Sequence, residues 1–144
     1  MKNYLIPLVA LVIISSSNVR AADDKYLLSI DAALTKHNNL VDPNIELYFA
    51  TQPHGEILEN LEAFVSSRTT NARLKSPDTS CSWVFMSAIL ALQKRAVAEG
   101  GNAVVNIHSY YNKIEMFDEQ RYECHDGRNV SRVVLKGTVV RLEK

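Results

Sequence analysis

The sequence predicts an α+β fold, a small antiparallel or mixed sheet with one main helix packed on one face as a two-layer sandwich. The segment between Ser76 and Gly100 carries apolar residues at helical spacing. Shorter segments on both sides of it alternate apolar and polar residues or are rich in β-branched residues, as strands are. No internal repeat, low-complexity tract or linker divides the chain. We therefore expect a single domain over residues 22–144.

The part of the domain before the main helix contains several short elements. Asp31 is a candidate N-cap, because its carboxylate can accept a hydrogen bond from the first helical turn. Residues 45–50 alternate in polarity and predict a half-buried strand. In chain order, we predict an apolar run at 26–30, a short helix at 31–37, a strand at 45–50, a turn at 53–55, a short helix at 56–62 and a strand at 63–71.

The main helix has recognisable signals at both ends. Ser76 is the predicted N-cap and Pro77 the first helical residue, and Asp78 complements the positive end of the helix dipole. The pair Gly100-Gly101 predicts the C-terminal cap. One apolar face is formed by Cys81, Val84, Phe85, Ala88, Leu92 and Ala96. We therefore expect this helix to be well buried.

The sequence predicts three strands after the helix. The first has Ala103, Val105 and Ile107 on one face by strict alternation, and Val104, Asn106, His108 and Tyr110 on the other. Residues 111–121 are a polar hairpin region, residues 122–124 a short strand, and Asp126-Gly127 a hairpin turn. Residues 130–142 form the last strand. Gly137 predicts a bulge within this strand, because the alternation of apolar residues shifts from Val133 and Leu135 before the glycine to Val140 and Leu142 after it.

Residues 1–21 have the three parts of a secretory signal peptide. Lys2 is the positive n-region, residues 4–14 are the apolar h-region, and Ala21 occupies the last position of a small-residue cleavage site. Eleven apolar residues span about 16 Å as a helix, which is too short for a membrane core of about 30 Å. We expect cleavage after Ala21, a periplasmic or secreted product, and no membrane anchor afterwards.

Charge and cysteine usage narrow the function classes. Removing residues 1–21 takes away Lys2 and Arg20 and leaves a net charge of −2, which gives no reason to expect nucleic-acid binding. Cys81 and Cys124 are the only cysteines, and an isolated pair in an oxidising compartment favours a disulfide. Closing this loop of about 44 residues stabilises the fold by roughly 4 kcal/mol in the chain-entropy model.

No catalytic or metal-binding motif is present in the sequence. Four histidines are scattered without the spacing of a metal site, and we expect no metal and no cofactor. Strict alternation places Asn106, His108 and Tyr110 on one face of a strand. An amide, an imidazole and a phenol together can bind a peptide or a glycan. This face is the candidate binding site, unless it is solvated or covers another protomer.

Several segments carry a resemblance to known proteins. They are AILALQKRA at 88–96, EGGNAVVNI at 99–107, SYY at 109–111, YEC at 122–124 and LKG at 135–137. The chain resembles, over most of residues 22–144, a family of small secreted bacterial proteins labelled "excinuclease ATPase subunit". More distantly, the helix followed by GGNAVV is similar to YbjQ-type domains and to the Rcs-type outer-membrane stress-sensor lipoprotein. The resemblance implies a small sheet-and-helix fold, often oligomeric or disulfide-bearing.

These observations favour a non-catalytic periplasmic binding or envelope-stress module. The expected partner is an envelope protein, a peptide or a glycan, and a homo-oligomer is a further expectation. The alternatives are a structural or interaction protein, an inhibitor of a secreted enzyme, or a small hydrolase. An excinuclease ATPase is excluded, because the chain has no G-x-x-x-x-G-K-[ST] loop to hold nucleotide phosphates and is directed away from cytoplasmic ATP.

Overall fold

The computed structural model describes residues 23–144. The predicted signal peptide lies outside the described residues. Eight helices and strands follow in the order β1 Asp24–Ser29, α1 Ile30–Lys36, β2 Glu46–Phe49, β3 Ile57–Asn71, α2 Pro77–Glu99, β4 Ala103–Ser109, β5 Arg121–Asp126 and β6 Val130–Leu142. Short 3-10 turns at Asn38–Leu40 and Tyr111–Lys113 connect some of them. The predicted α+β class is confirmed.

The six strands form one mixed sheet around β6. One edge of β6 pairs with β3 along its whole length, and the other edge pairs with β5 near its start and with β4 further on. β1 pairs antiparallel with β5, and β2 pairs parallel with β4. Because β3 pairs with β6 and with no other strand in the described part of the chain, it is a free edge of the sheet.

Helix α2 packs on one face of this sheet and supplies most of the core. Val84, Phe85 and Ile89 are fully buried against inward-facing residues of β6 such as Leu135 and Val139. Ser76 caps the helix by accepting a hydrogen bond from the Thr79 amide, as predicted. Gly100 ends it in a left-handed conformation with φ of 77°. We call the helix-bearing side the inner face and the opposite side the outer face.

Two predictions about the first half of the domain are wrong. Residues 56–62 are not a helix: Glu56 directly precedes β3 and residues 57–62 are its first part, where the pairing with β6 is irregular near Leu58 and Leu61. Those bulges displace the alternation that a regular strand would show, which is why the leucines resemble a helical pattern. The cap of α1 is Ser29, whose hydroxyl accepts from the Ala32 amide, and Asp31 lies in the first turn.

The predicted bulge at Gly137 lies instead on the neighbouring strand. β6 pairs with β3 without interruption through Gly137, whereas the pairing of β4 with β6 shifts between Val105 and His108. Asn106 has a φ of 53° there. A Cβ atom on Gly137 would lie 2.7 Å from Val104 Cγ1, so glycine permits β4 to approach. The alternation of apolar and polar residues along β6 is interrupted because both faces of the strand are apolar near its end. The strand itself is not bulged there.

The sulfur atoms of Cys81 and Cys124 lie at disulfide distance, as the predicted pairing requires. Their Cα atoms are 6.0 Å apart, and both residues are fully buried. The bond joins the first turns of α2 to β5 through two cysteines that are 43 residues apart in the chain. It therefore holds the β1–β5 end of the sheet to the main helix, next to the stacked rings of Phe85 and Tyr122.

Replacing both cysteines by alanine is expected to lower the free energy of unfolding by about 2–4 kcal/mol, because the unfolded chain regains the freedom of a long loop. Urea denaturation of the purified protein measures this loss. Wild-type protein treated with reductant is the control and should show a similar loss. Equal stability of the oxidised wild type and the double variant would contradict the prediction.

Gly137→Ala is expected to destabilise the fold by about 1–3 kcal/mol, because the added methyl group collides with the stiff Val104 side chain. The matched control is Gly55→Ala, where the added atom meets its nearest neighbour at an ordinary 3.4 Å. Thermal and urea unfolding of both variants measure the difference. A Gly137→Ala protein as stable as the Gly55→Ala control would show that β4 tolerates the added group.

Candidate functional site

The outer face of the sheet is the candidate functional site. In residues 23–144, neither α1 nor α2 packs on it, since both contribute their buried residues to the core cluster on the inner face. The end near β2 is covered by a small apolar cluster of Val105, Val140 and Leu142 with Tyr48 and Ile57. The rest carries aromatic and ionisable side chains from β4, β5, β6 and the loop between β4 and β5.

Five of these side chains form what we call the His108 cluster. It consists of His108, Tyr110, Glu115, Phe117 and Lys136. His108 and Lys136 are directly paired across β4 and β6, so their side chains leave the sheet on the same face. Lys136 Nζ lies 4.8 Å from the centre of the Tyr110 ring and 3.3 Å from Glu115 Oε1.

His108 is the buried centre of this cluster, with 5% of its surface exposed. The Phe117 ring covers it at a centroid distance of 4.2 Å, and Tyr110 contacts it edge-on. Its Nδ1 donates to the Asn106 carbonyl at 2.7 Å. Its Nε2 lies 3.5 Å from Glu115 Oε1 in a direction that makes no hydrogen bond, so this nitrogen has no hydrogen-bond partner in the described chain.

A second group of side chains extends the outer face onto β5 and β1. The Tyr111 ring stacks on His125 at 3.5 Å, and His125 Nε2 donates to Glu123 Oε1 at 2.5 Å. Glu123 also lies 3.5 Å from the Lys25 ammonium group of β1. His125, Glu123 and Lys25 therefore each have an oppositely charged or hydrogen-bonding neighbour. The outer face presents aromatic rings that pack on such polar groups.

The structure places the three predicted site residues differently from strict alternation. Asn106 is the bulged residue and is exposed, whereas His108 and Tyr110 share the outer face with Val105. Ile107 faces the inner core with Val104. One extra residue in β4 reverses the alternation beyond it, because the side-chain period of a strand is two. Whether these residues bind a ligand stays a prediction.

Three residues of the cluster were missed from the sequence, namely Glu115, Phe117 and Lys136. The first two lie in the polar loop, which folds back because Ser109 and Met116 exchange backbone hydrogen bonds. Phe117 carries the only sequence signal that could have found this loop, as an isolated aromatic residue in a polar segment. It is 52% exposed while covering His108.

The described residues contain a serine–histidine contact between His37 and Ser82, which is relevant to the hydrolase alternative. His37 Nε2 lies 3.3 Å from Ser82 Oγ, and the hydroxyl itself donates to the Thr79 carbonyl. Both residues are buried, and the His37 ring lies against Trp83 at 4.5 Å. A nucleophilic serine must reach substrate and give its proton to the histidine. Here the hydroxyl accepts from the histidine, so the contact is structural.

Within 23–144, no three histidine, cysteine or acidic side chains converge in a way that could hold a metal ion. No helix in that same part of the chain is both long enough and apolar enough to cross a membrane. Comparison with known proteins gives no matching family model and no significant match among curated proteins.

His37 is expected to make stability depend on pH. Burial, and to a lesser degree the neighbouring Lys36 charge, lower the pKa of His37 below its ordinary value of 6.5. The unfolded chain therefore binds a proton first as the pH falls. The stabilisation is complete above pH 6.5 and is lost as the pH falls from there towards the lower pKa of the folded state.

Urea denaturation between pH 7.5 and pH 5 tests this dependence, with His37→Gln as the variant. We expect wild-type stability to fall more steeply with decreasing pH than that of the variant. The control is His54→Gln, which replaces an exposed histidine. If the stability of wild type and of His37→Gln changes with pH in the same way, the prediction that burial lowers the pKa of His37 is wrong.

Proposed function

We propose that the chain is an exported, non-catalytic binding module that uses the outer face of its sheet to hold a partner in the cell envelope. The signal-like residues 1–21 support export. The Cys81–Cys124 pair at disulfide distance is compatible with an oxidising compartment. The proposal includes a role in the envelope-stress response, which rests on the resemblance of the GGNAVV segment to stress-sensor domains.

The observation that carries the binding proposal is the composition of the outer face. Tyr110, Tyr111 and Phe117 lie beside paired charged groups on a side of the sheet that no described helix covers. Phe117 is 52% exposed and the neighbouring Ile114 is 70% exposed. Aromatic rings gain the most free energy per residue at binding surfaces, and an apolar patch rimmed by polar groups is typical of such surfaces.

The same composition favours a peptide or a glycan as the ligand. Flat aromatic rings stack on sugar rings or peptide groups, and the nearby Glu115 carboxylate and Lys136 ammonium can orient polar groups of a ligand. Binding without catalysis is favoured because His108 has little exposed surface beneath Phe117. A buried imidazole is not within reach of a substrate proton, which general acid–base catalysis requires. His108 supports the rings above it.

Site-specific photocrosslinking in intact cells tests the proposal. The full chain carries benzoylphenylalanine in place of Phe117, which preserves an aromatic ring over His108. We expect a discrete crosslinked product in the envelope fraction, identified by mass spectrometry as a protein, peptide or glycan. Adding Tyr110→Ala should reduce the yield about five- to tenfold, because a ring at a binding surface contributes more than 1 kcal/mol.

The control is the same probe in place of Leu40, which is 38% exposed on the 3-10 turn after α1. It should give none of the products seen from position 117. The same products from position 40, or an unchanged yield with Tyr110→Ala, would contradict binding at the outer face.

A further inference from the structure

The free edge of β3 borders a groove that the proposed binding surface does not use. The groove has a volume of about 350 Å³ and lies between β3 and α2. It is lined by Phe64, Ser66, Arg68, Ala91, Lys94 and Arg95, among others. Ser66 is only 5% exposed, yet its hydroxyl has no hydrogen-bond partner in the described chain. A long strand with one unpaired edge beside a groove is a template for an added strand.

The charges along β3 are divided between its two halves. Glu59 and Glu62 lie in the first half and Arg68 in the second, and all three are exposed. Lys94 and Arg95 of α2 add positive charge to the groove beside Arg68. An antiparallel copy of the same strand would therefore bring an acidic half against a basic half.

The geometry of a two-fold pair restricts the register of such a contact. Directly opposite residues of antiparallel strands project on the same face, so the two paired residue numbers must add to an even number. If the paired residue numbers add to 130, Glu62 of each copy lies opposite Arg68 of the other copy. Val65 then lies opposite Val65 of the second copy. Val65 is 53% exposed. A sum of 124 would instead place Glu62 against Glu62, and like charges directly opposite are destabilising.

We propose that β3 joins two copies of this chain across a two-fold axis at Val65, with Glu62 of each copy opposite Arg68 of the other. The part of β3 from Glu62 to Asn71 pairs with β6 without irregularity, so residues 62–68 are regular enough to accept a second strand. Their overlap is about 23 Å long. The second copy is the occupant because its charge pattern complements this edge.

The proposed register also accounts for Ser66. Phe64 of the second copy lies opposite Ser66, and Glu62 of the second copy is the diagonal neighbour of Ser66 on the same face. Diagonal neighbours are about 7–8 Å apart at Cα, within reach of a glutamate side chain. The Ser66 hydroxyl thereby gains an acceptor, and the carboxylate remains close to Arg68 and Lys94.

This dimer would leave the outer faces of both copies open on the same side of a continuous twelve-stranded sheet. Both α2 helices would lie on the opposite side, because a two-fold axis perpendicular to a sheet keeps like faces together. The inference does not depend on the binding proposed for the outer face. A dimer that captures no ligand would support the β3 contact and contradict binding at the outer face. A monomer that captures a ligand would give the opposite result.

Sedimentation velocity over a concentration series tests the dimer, using the full chain expressed with its own leader and purified from the periplasm. We expect the wild type to be a dimer. Glu62→Arg alone creates two Arg–Arg contacts and Arg68→Glu alone two Glu–Glu contacts, so each variant should dissociate at least tenfold more readily. An equimolar mixture of the two variants should form a heterodimer, because every opposed pair is then Arg with Glu.

Arg128→Glu and Glu143→Arg are the matched controls, since they reverse the same charges at exposed positions outside residues 62–68, where the two copies would pair. Both should remain dimers. A monomeric wild type at all concentrations would overturn the proposal and leave the edge free for an extended peptide. A dimer unaffected by Glu62→Arg and Arg68→Glu, or a mixture that forms no heterodimer, would overturn the Glu62–Arg68 register.

Discussion

The packing of α2 against β6 is the contact on which the rest of the structure depends. β6 is paired on both edges, so three other strands take their positions from it. Its inward-facing Val133, Leu135 and Val139 are almost completely excluded from water by the apolar face of α2. Each fully buried aliphatic side chain contributes about 1.5–3 kcal/mol to folding. Within residues 23–144 no second helix of this length packs on the sheet, so losing this contact would leave its inner face exposed to water.

The close approach of β4 to Gly137 links this core to the outer face. Glycine in β6 accepts Val104 at a distance that no side chain would tolerate, and the bulge opposite it turns Ile107 inward. The next residue, His108, is thereby directed outward, where Phe117 covers it. A packing constraint in the interior therefore determines which aromatic and ionisable groups gather on the exposed side. The disulfide and the capped ends of α2 keep that arrangement fixed against the helix.

The fold separates its surfaces by physical character. The outer face is aromatic and internally charge-paired, which suits recognition of a ligand, whereas the β3 edge offers unpaired backbone groups and separated charges, which suit an identical strand. Natural proteins protect long sheet edges with charges and bulges, and β3 carries both in its first half. Its second half is regular and lies beside a groove. In the proposed dimer, that asymmetry within one strand allows a single register to satisfy both its charges and Ser66.

The sequence alone determined the features that are coded by neighbouring residues. The α+β class, the capped main helix between Ser76 and Gly100, and the strands after it follow from periodicity and terminal signals that act over one or two turns. Long-range contacts instead set the conformation of residues 56–62, the position of the bulge and the members of the His108 cluster. These depend on which strand each segment pairs with, and pairing joins residues far apart in the chain. Glu115 and Lys136 meet His108 because three separate segments converge beside β6, and no local pattern records that convergence.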